Sequence, residues 1–134
     1  MRYLLDTNIC IYLIKQKPKQ VIERFRKHSV GEIGVSSITV SELWYGVAKS
    51  KYQRENRQAL EQFLLPLVVA DFDEDAAAIY GEIRAKLEQA GKPIGAMDML
   101  IAAHAVSLGL VLVSNNEQEF LRVPELIVEN WASD

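Results

Sequence analysis

The sequence predicts an α/β protein: a mainly parallel sheet of four to five strands flanked by helices on both faces. Three observations carry this. Short runs rich in Val, Leu and Ile recur along the chain, as expected of strands covered on both sides. Longer segments with apolar residues at three- and four-residue steps lie between them, as expected of amphipathic helices. No repeat, low-complexity tract or Pro/Gly/Ser-rich linker interrupts the alternation, so one domain over 1–134 is expected.

The first strand is RYLLD, and the apolar pattern then changes period to give a helix over 9–15 and another over 18–28. EIGVSS reads as the second strand, followed by helices over 39–50 and 53–64. LVVAD is the third. The helix over 73–90 sets Ala76, Ile79, Tyr80, Ile83 and Leu87 on one stripe, and Gly91 and Pro93 close it. A helix over 97–108 ends at Gly109, and LVLVS and LIVE supply the remaining strands. Strands alternating with helices imply right-handed crossovers and parallel neighbours.

Composition narrows the function classes. With 49% hydrophobic and 25% charged residues, the chain matches an ordinary globular domain. The one cysteine, Cys10, excludes an internal disulfide and fits a reducing compartment, so a cytoplasmic protein is expected. Asp6 breaks the first apolar run too early for a signal peptide. The uncharged stretch 99–116 contains His104, Gly109 and two Asn, and reads as helix, turn and strand rather than a membrane span. A net charge of −3 argues against indiscriminate coating of nucleic acid.

Ligands of such folds bind at the carboxyl ends of the strands. Four acids are expected there: Asp6 ending the first strand, Glu42 opening the helix after the second, Asp98 near the start of MDMLIAAHAV, and Glu119 soon after LVLVS. Each has a plain structural explanation. Thr39 and Glu42 fit a capping box, as Asn116 and Glu119 do more loosely, Asp6 or Asn8 fits a helix cap, and Asp98 suits a helix dipole. Capping does not explain their shared address. Carboxylates converging on one sheet edge repel unless a cation neutralises them, and an all-oxygen donor set selects Mg²⁺, with Mn²⁺ possible, over zinc.

Competing sites fare worse. A dehalogenase-type phosphatase needs a second acid where Asn8 stands. A phosphoacceptor receiver centred on Asp71 lacks an acidic pair at the first strand and a late lysine; Asp71 and Asp73 read better as the turn and cap before the long helix. No dinucleotide or P-loop glycine pattern occurs. His104, on an apolar helix, reads as a hydrogen-bonded core residue, and Cys10 as a small helix-face residue.

The segments LLDTNICIYL, SSITVSELWYGVAKS, GKPIGAMDMLIAAHAVSLGLVLVSNN and EFLRVPEL together resemble the PIN-domain ribonucleases, and more closely the VapC toxins of bacterial type II toxin–antitoxin systems. The resemblance implies an α/β/α PIN domain that hydrolyses RNA with Mg²⁺, tRNA being the expected substrate, to 5′-phosphate and 3′-hydroxyl ends. Asp6 and Asp98 would be the metal ligands, with Glu42 and Glu119 completing the catalytic set. Where the family often carries an acid after the fourth strand, this chain has Asn115 and Asn116; one tightly held ion is therefore expected, and a second only alongside substrate.

Thr7, Asn8, Ser114 and Asn116 are candidates to orient the acids or touch the phosphate, with Asn8 expected to steady Asp6. Lys15, Lys17, Lys49, Lys51 and Arg54 are candidates for a basic rim that attracts RNA. The resemblance further implies a VapB-type antitoxin, contact with operator DNA only through that antitoxin, and a homodimer. Ile9, Leu13, Leu43, Trp44 and Tyr45 are the candidate contacts. The alternative reading is a catalytically silent PIN-like module that binds RNA or protein.

Overall fold

The computed structural model describes residues 1–133. β1 (Tyr3–Leu5) leads to α1 (Thr7–Lys15) and α2 (Lys19–Arg26), β2 (Ile33–Ser36) to α3 (Ser37–Ala48) and α4 (Gln53–Leu64), and β3 (Val68–Ala70) to α5 (Glu74–Gln89) and α6 (Ala96–Leu108). β4 (Val111–Val113), α7 (Glu117–Phe120) and β5 (Val128–Glu129) complete the chain. The five strands form one sheet in the order β3-β2-β1-β4-β5, every pairing parallel.

That order contains a reversal. The chain steps outward from β1 through β2 to β3, then crosses back through α5 and α6 to place β4 on the other side of β1. With right-handed crossovers, reversing direction moves the connecting helices to the opposite face. Two core layers result. Tyr3, Leu5, Val35 and Val113 pack with residues of α1–α4 such as Ile9, Leu13 and Leu60, while Leu4 and Leu112 pack with Ile83 and Leu87 of α5 and Ile101 and Ala102 of α6. Neighbours along β1 thus serve different layers, as strand geometry requires.

Local signals explain the termini. Gly109 takes φ 68°, which suits glycine at a helix C-terminus, and its amide bonds the Val106 carbonyl at 3.1 Å. Asp73 caps α5 by accepting the Ala76 N–H at 3.0 Å. Trp131, past β5, is fully buried and packs edge-on to Tyr3 and parallel to His28. Among the described residues, no helix is long and apolar enough to cross a membrane.

Two expectations fail here. α3 begins at Ser37, and its cap is Ser36, whose Oγ accepts the Ile38 N–H at 3.0 Å. Thr39 is therefore a buried residue inside the helix, Glu42 lies in the second turn, and the Thr39–Glu42 capping box does not form. The receiver reading also fails. Asp71 follows the edge strand β3 and is exposed, whereas the doubly wound order 2-1-3-4-5 would place β3 in the sheet's centre.

Candidate active site

The reversal of strand order lies between β1 and β4, and the crevice outside the carboxyl ends of such a strand pair is where open α/β sheets bind ligands. Asp6 and Ser114 are the residues that leave those two strands, one step beyond the paired Leu5 and Val113. Both are buried. Asp6 does two jobs: Oδ1 accepts the Ile9 N–H at 2.9 Å, capping α1, and the carboxylate also accepts a hydrogen bond from Ser114. Capping and site membership are thus compatible for Asp6.

Burial raises the Asp6 carboxyl from its ordinary 3.8 to about 6; the bonds from Ser114 and Ile9 pull it down, and the charge of Glu42 pushes it up. Asp98, in the first turn of α6, is also raised to about 6. Burial is the largest cause, followed by a hydrogen bond and charge from Glu119 and then the charges of Asp6 and Glu42. Asp98 makes no side-chain cap; Gly95 holds the N-cap position of α6. Residues far apart in sequence therefore share one electrostatic neighbourhood.

The other two acids are held by side chains. Thr7 Oγ1 donates to Glu42 Oε1 at 2.6 Å, joining α1 to α3, and lies 3.5 Å from Thr39 Oγ1. Asn116 Nδ2 donates to Glu119 Oε2 at 2.5 Å, and the Asn116 backbone N–H donates to Ser114 Oγ at 2.9 Å. The loose Asn116–Glu119 capping box is replaced by this side-chain bond, because Asn116 makes no side-chain cap to α7.

The donor set fits a hard divalent ion without being preassembled. All four candidate charged donors are carboxylates, and burial, with the charge of neighbouring acids added to it, makes Asp6 and Asp98 hold protons more tightly than usual. Asn115 adds a buried Oδ1 with no hydrogen-bond partner beside Ser114, its Nδ2 being used by the Tyr12 hydroxyl at 2.7 Å. Among the described residues, however, no three His, Cys, Asp or Glu side chains are grouped closely enough to form a cage. Mg²⁺ does not require such a cage, since it binds through one or two carboxylates and keeps several waters.

Other expected residues are placed differently. Asn8 is exposed and makes no hydrogen bond to Asp6; Ile9 N–H and Ser114 do that work instead. Ile9 and Leu13 are buried in the core on α1, so they are packing residues and not partner contacts. Leu43 is also buried, but it floors a groove of about 320 Å³ between α1, α3 and α4, with Ile11, Ile14, Gly46 and Ala59 along its walls. Trp44 is half-buried against the core, and Tyr45 is 66% exposed.

Gly46 has open space where a Cβ would stand. The groove reaches the acids only through Glu42, and Lys15 lies on its rim. Lys17 lines a shallow pocket next to it with Tyr12 and Pro18. Lys49 and Lys51 cover the rings of Tyr45 and Tyr52, and Arg54 is exposed at the start of α4.

Comparison with known proteins bears on the family of the whole chain. The family model for the PIN domain matches residues 3–126. The chain is 50% identical to Ribonuclease VapC2 of Haemophilus influenzae over 98% of both chains. It is 45% identical to the tRNA(fMet)-specific endonuclease VapC of Shigella flexneri, over 98% of this chain and 99% of that one. Among solved structures, DNA-bound VapBC from Salmonella typhimurium superposes with a TM-score of 0.93 at 44% identity, covering 98% of each chain. Three independent kinds of likeness, spanning nearly every residue, lead to one assignment: this chain belongs to the PIN-domain family, among its VapC ribonucleases.

Proposed function

We propose that the chain is the toxin of a two-protein module: a Mg²⁺-dependent endoribonuclease, with Mn²⁺ as a substitute, that cuts a structured RNA and is held inactive by a VapB-type antitoxin. The carrying observation is the convergence of Asp6, Glu42, Asp98 and Glu119 at the β1/β4 switch point, with the carboxyls of Asp6 and Asp98 both raised to about 6. Carboxylates that are buried and set near other acids favour a bound cation over bare charge.

Asp6 and Asp98 would hold the ion. When bound, it acidifies the attacking water and neutralises charge on the phosphate. Glu42, held by Thr7, and Glu119, held by Asn116, would orient the attacking water and accept its proton. With the P–O3′ bond broken and the 3′ oxygen leaving, attack by water at phosphorus would leave 5′-phosphate and 3′-hydroxyl ends without using the ribose 2′-hydroxyl. Lys15 and Lys17, with Lys49, Lys51 and Arg54 farther along, supply the positive rim a polyanion needs.

The substrate proposed is tRNA, supported by the Shigella relative's name. The antitoxin is proposed to lay an apolar segment in the α1/α3/α4 groove, supported by the open space over Gly46 and the likeness to VapBC complexes. Operator DNA would be reached through the antitoxin, since the chain itself carries a net charge of −3. A homodimer and a cytoplasmic setting complete the reading.

The test is incubation of the purified chain with bulk tRNA in Mg²⁺, in EDTA, and as the Asp6→Asn variant, followed by ligation-based mapping of 5′-phosphate ends. Discrete cuts in the Mg²⁺ wild-type sample alone are expected. Equal end maps in all three would leave the carboxylates without a catalytic role and favour a silent binding module.

A further inference from the structure

His104 is buried to 1% on an apolar stretch of α6, flanked by Ala102, Ala103 and Ala105, and takes no part in the chemistry above. An imidazole there requires partners for both ring nitrogens. Nδ1 lies 2.7 Å from Ser36 Oγ. Ser36 Oγ already accepts the Ile38 N–H, so its hydroxyl proton is free to donate to Nδ1. That assignment leaves the proton on Nε2, and the Asp71 backbone is the ring's second hydrogen-bonding partner. The neutral ring is held in one tautomer by two elements, and Phe72 packs edge-on against it with ring centroids 5.4 Å apart.

The partners are telling. Ser36 ends β2 and caps α3, the helix carrying Glu42; Asp71 follows β3; His104 itself rides on α6, the helix carrying Asp98. Phe72 N–H adds a bond to Ser37 Oγ at 3.0 Å, tying the same corner again. Glu42 lies six residues beyond Ser36, and Asp98 six residues before His104. At about 1.5 Å per residue, each acid stands roughly 9 Å along a helix axis from the Ser36–His104 bond.

We propose that His104 is a positioning residue: the Ser36–His104–Asp71 bridge sets α3 against α6 and thereby fixes how far Glu42 stands from Asp98. This rests on the reading of those acids as the metal-dependent catalytic set. A core filler would need only the ring's volume; a strut needs an acceptor facing Ser36 and a donor facing Asp71. Glutamine can offer both through its amide, whereas alanine offers neither.

The test compares His104→Ala, His104→Gln and Ser36→Ala with wild type, all confirmed folded by circular dichroism and assayed well below their Tm. His104→Ala is expected to lower kcat on bulk tRNA by about tenfold or more with KM within about twofold, as a displaced catalytic group does. It should also weaken Mn²⁺ binding to the RNA-free protein by about fivefold or more, read by electron paramagnetic resonance. His104→Gln should recover most of both, and Ser36→Ala combined with His104→Ala should be no worse than His104→Ala alone.

Wild-type kcat and Mn²⁺ affinity in His104→Ala, with only Tm lowered, would overturn the strut. So would His104→Gln as impaired as His104→Ala, since ring packing rather than the bridge would then be at work. If wild type cleaves no RNA, the nuclease reading falls, and the Mn²⁺ comparison still decides the strut on its own.

Discussion

The Thr7 hydroxyl donates to the Glu42 carboxylate at 2.6 Å, across 35 positions of sequence. Thr7 is the first residue of α1 and Glu42 lies in the second turn of α3, so one short bond joins two helices that begin at adjacent strands. It fixes a carboxylate that would otherwise swing on three torsions.

Removing that bond should cost turnover more than stability. Thr7→Val keeps the shape but leaves Glu42 unanchored, and kcat on tRNA should fall by about 10-fold, the scale of a lost bond to a charged group. Thr7→Ser should stay within about threefold of wild type. Single-turnover cleavage measures both. A Thr7→Val enzyme as fast as wild type would remove Thr7 from the site.

The two raised carboxyls make the metal-free protein pH-sensitive in a defined direction. Asp6 and Asp98 both move from 3.8 to about 6, so between those values the folded state holds protons that the unfolded state has released. Stability therefore falls as pH rises through that window, and the loss is complete above pH 6. For buried Asp6 this amounts to roughly 2–3 kcal/mol; half-exposed Asp98 adds less because solvent screens it. Thermal melts in EDTA should show a lower Tm at pH 7.5 than at pH 5, and Mg²⁺ should restore it at pH 7.5 but not at pH 5. A metal-free Tm that climbs with pH would contradict the shared site.

Replacing one of these acids by its amide separates stability from activity. Asp98→Asn removes a carboxylate that Glu119, Asp6 and Glu42 all oppose. The metal-free variant should be more stable than wild type by about 1 kcal/mol in urea unfolding at pH 7.5. Its RNA cleavage should drop by about 10²-fold or more. Lower stability together with retained cleavage would assign Asp98 to the helix terminus alone.

Gly46 offers a way to block the groove without disturbing the core. A Cβ there meets nothing within 4 Å, and glycine inside α3 costs about 1 kcal/mol relative to a good helix former. Gly46→Leu should raise Tm slightly and leave kcat within about threefold, while weakening antitoxin binding by about tenfold or more through steric overlap. Calorimetric titration with the cognate antitoxin reads the effect. Unchanged affinity would move the docking surface elsewhere.

Trp131 is the large side chain that anchors the C-terminal segment in the core. Trp131 is fully buried against Tyr3 and His28, and its Nε1–H donates to Glu129 Oε1 at 3.1 Å. Trp131→Ala should cost about 3–5 kcal/mol in urea unfolding, as large aromatic truncations in cores do. A loss under about 1 kcal/mol would show that the chain end is dispensable.

Much of this protein was written in local pattern. The short Val-, Leu- and Ile-rich runs and the intervening helical stripes place all five strands and the longer helices, because burial on both faces of a strand or one face of a helix leaves a trace in local sequence. Gly109 and Asp73 mark helix ends for equally local reasons. The four acids were legible as candidates, since each comes within a few residues of a strand end or a helix start. α7 was not legible: four residues are too few to show a period.

What only the tertiary structure decided concerns relationships between distant residues. Thr39 and Glu42 have capping-box spacing, yet α3 starts two residues earlier and Glu42 turns to Thr7, because the box requires a helix start that Ser36 had already claimed. Ile9 and Leu13 are as apolar as the groove-lining Ile11 and Ile14, and composition cannot say which stripe of α1 faces the sheet. Above all, the raised carboxyls of Asp6 and Asp98 arise from burial and from acidic neighbours that the fold brings together from distant elements. Local sequence specifies hydrophobic period and backbone preference; Coulomb energy and desolvation depend on distances through space, which exist only once the chain has folded.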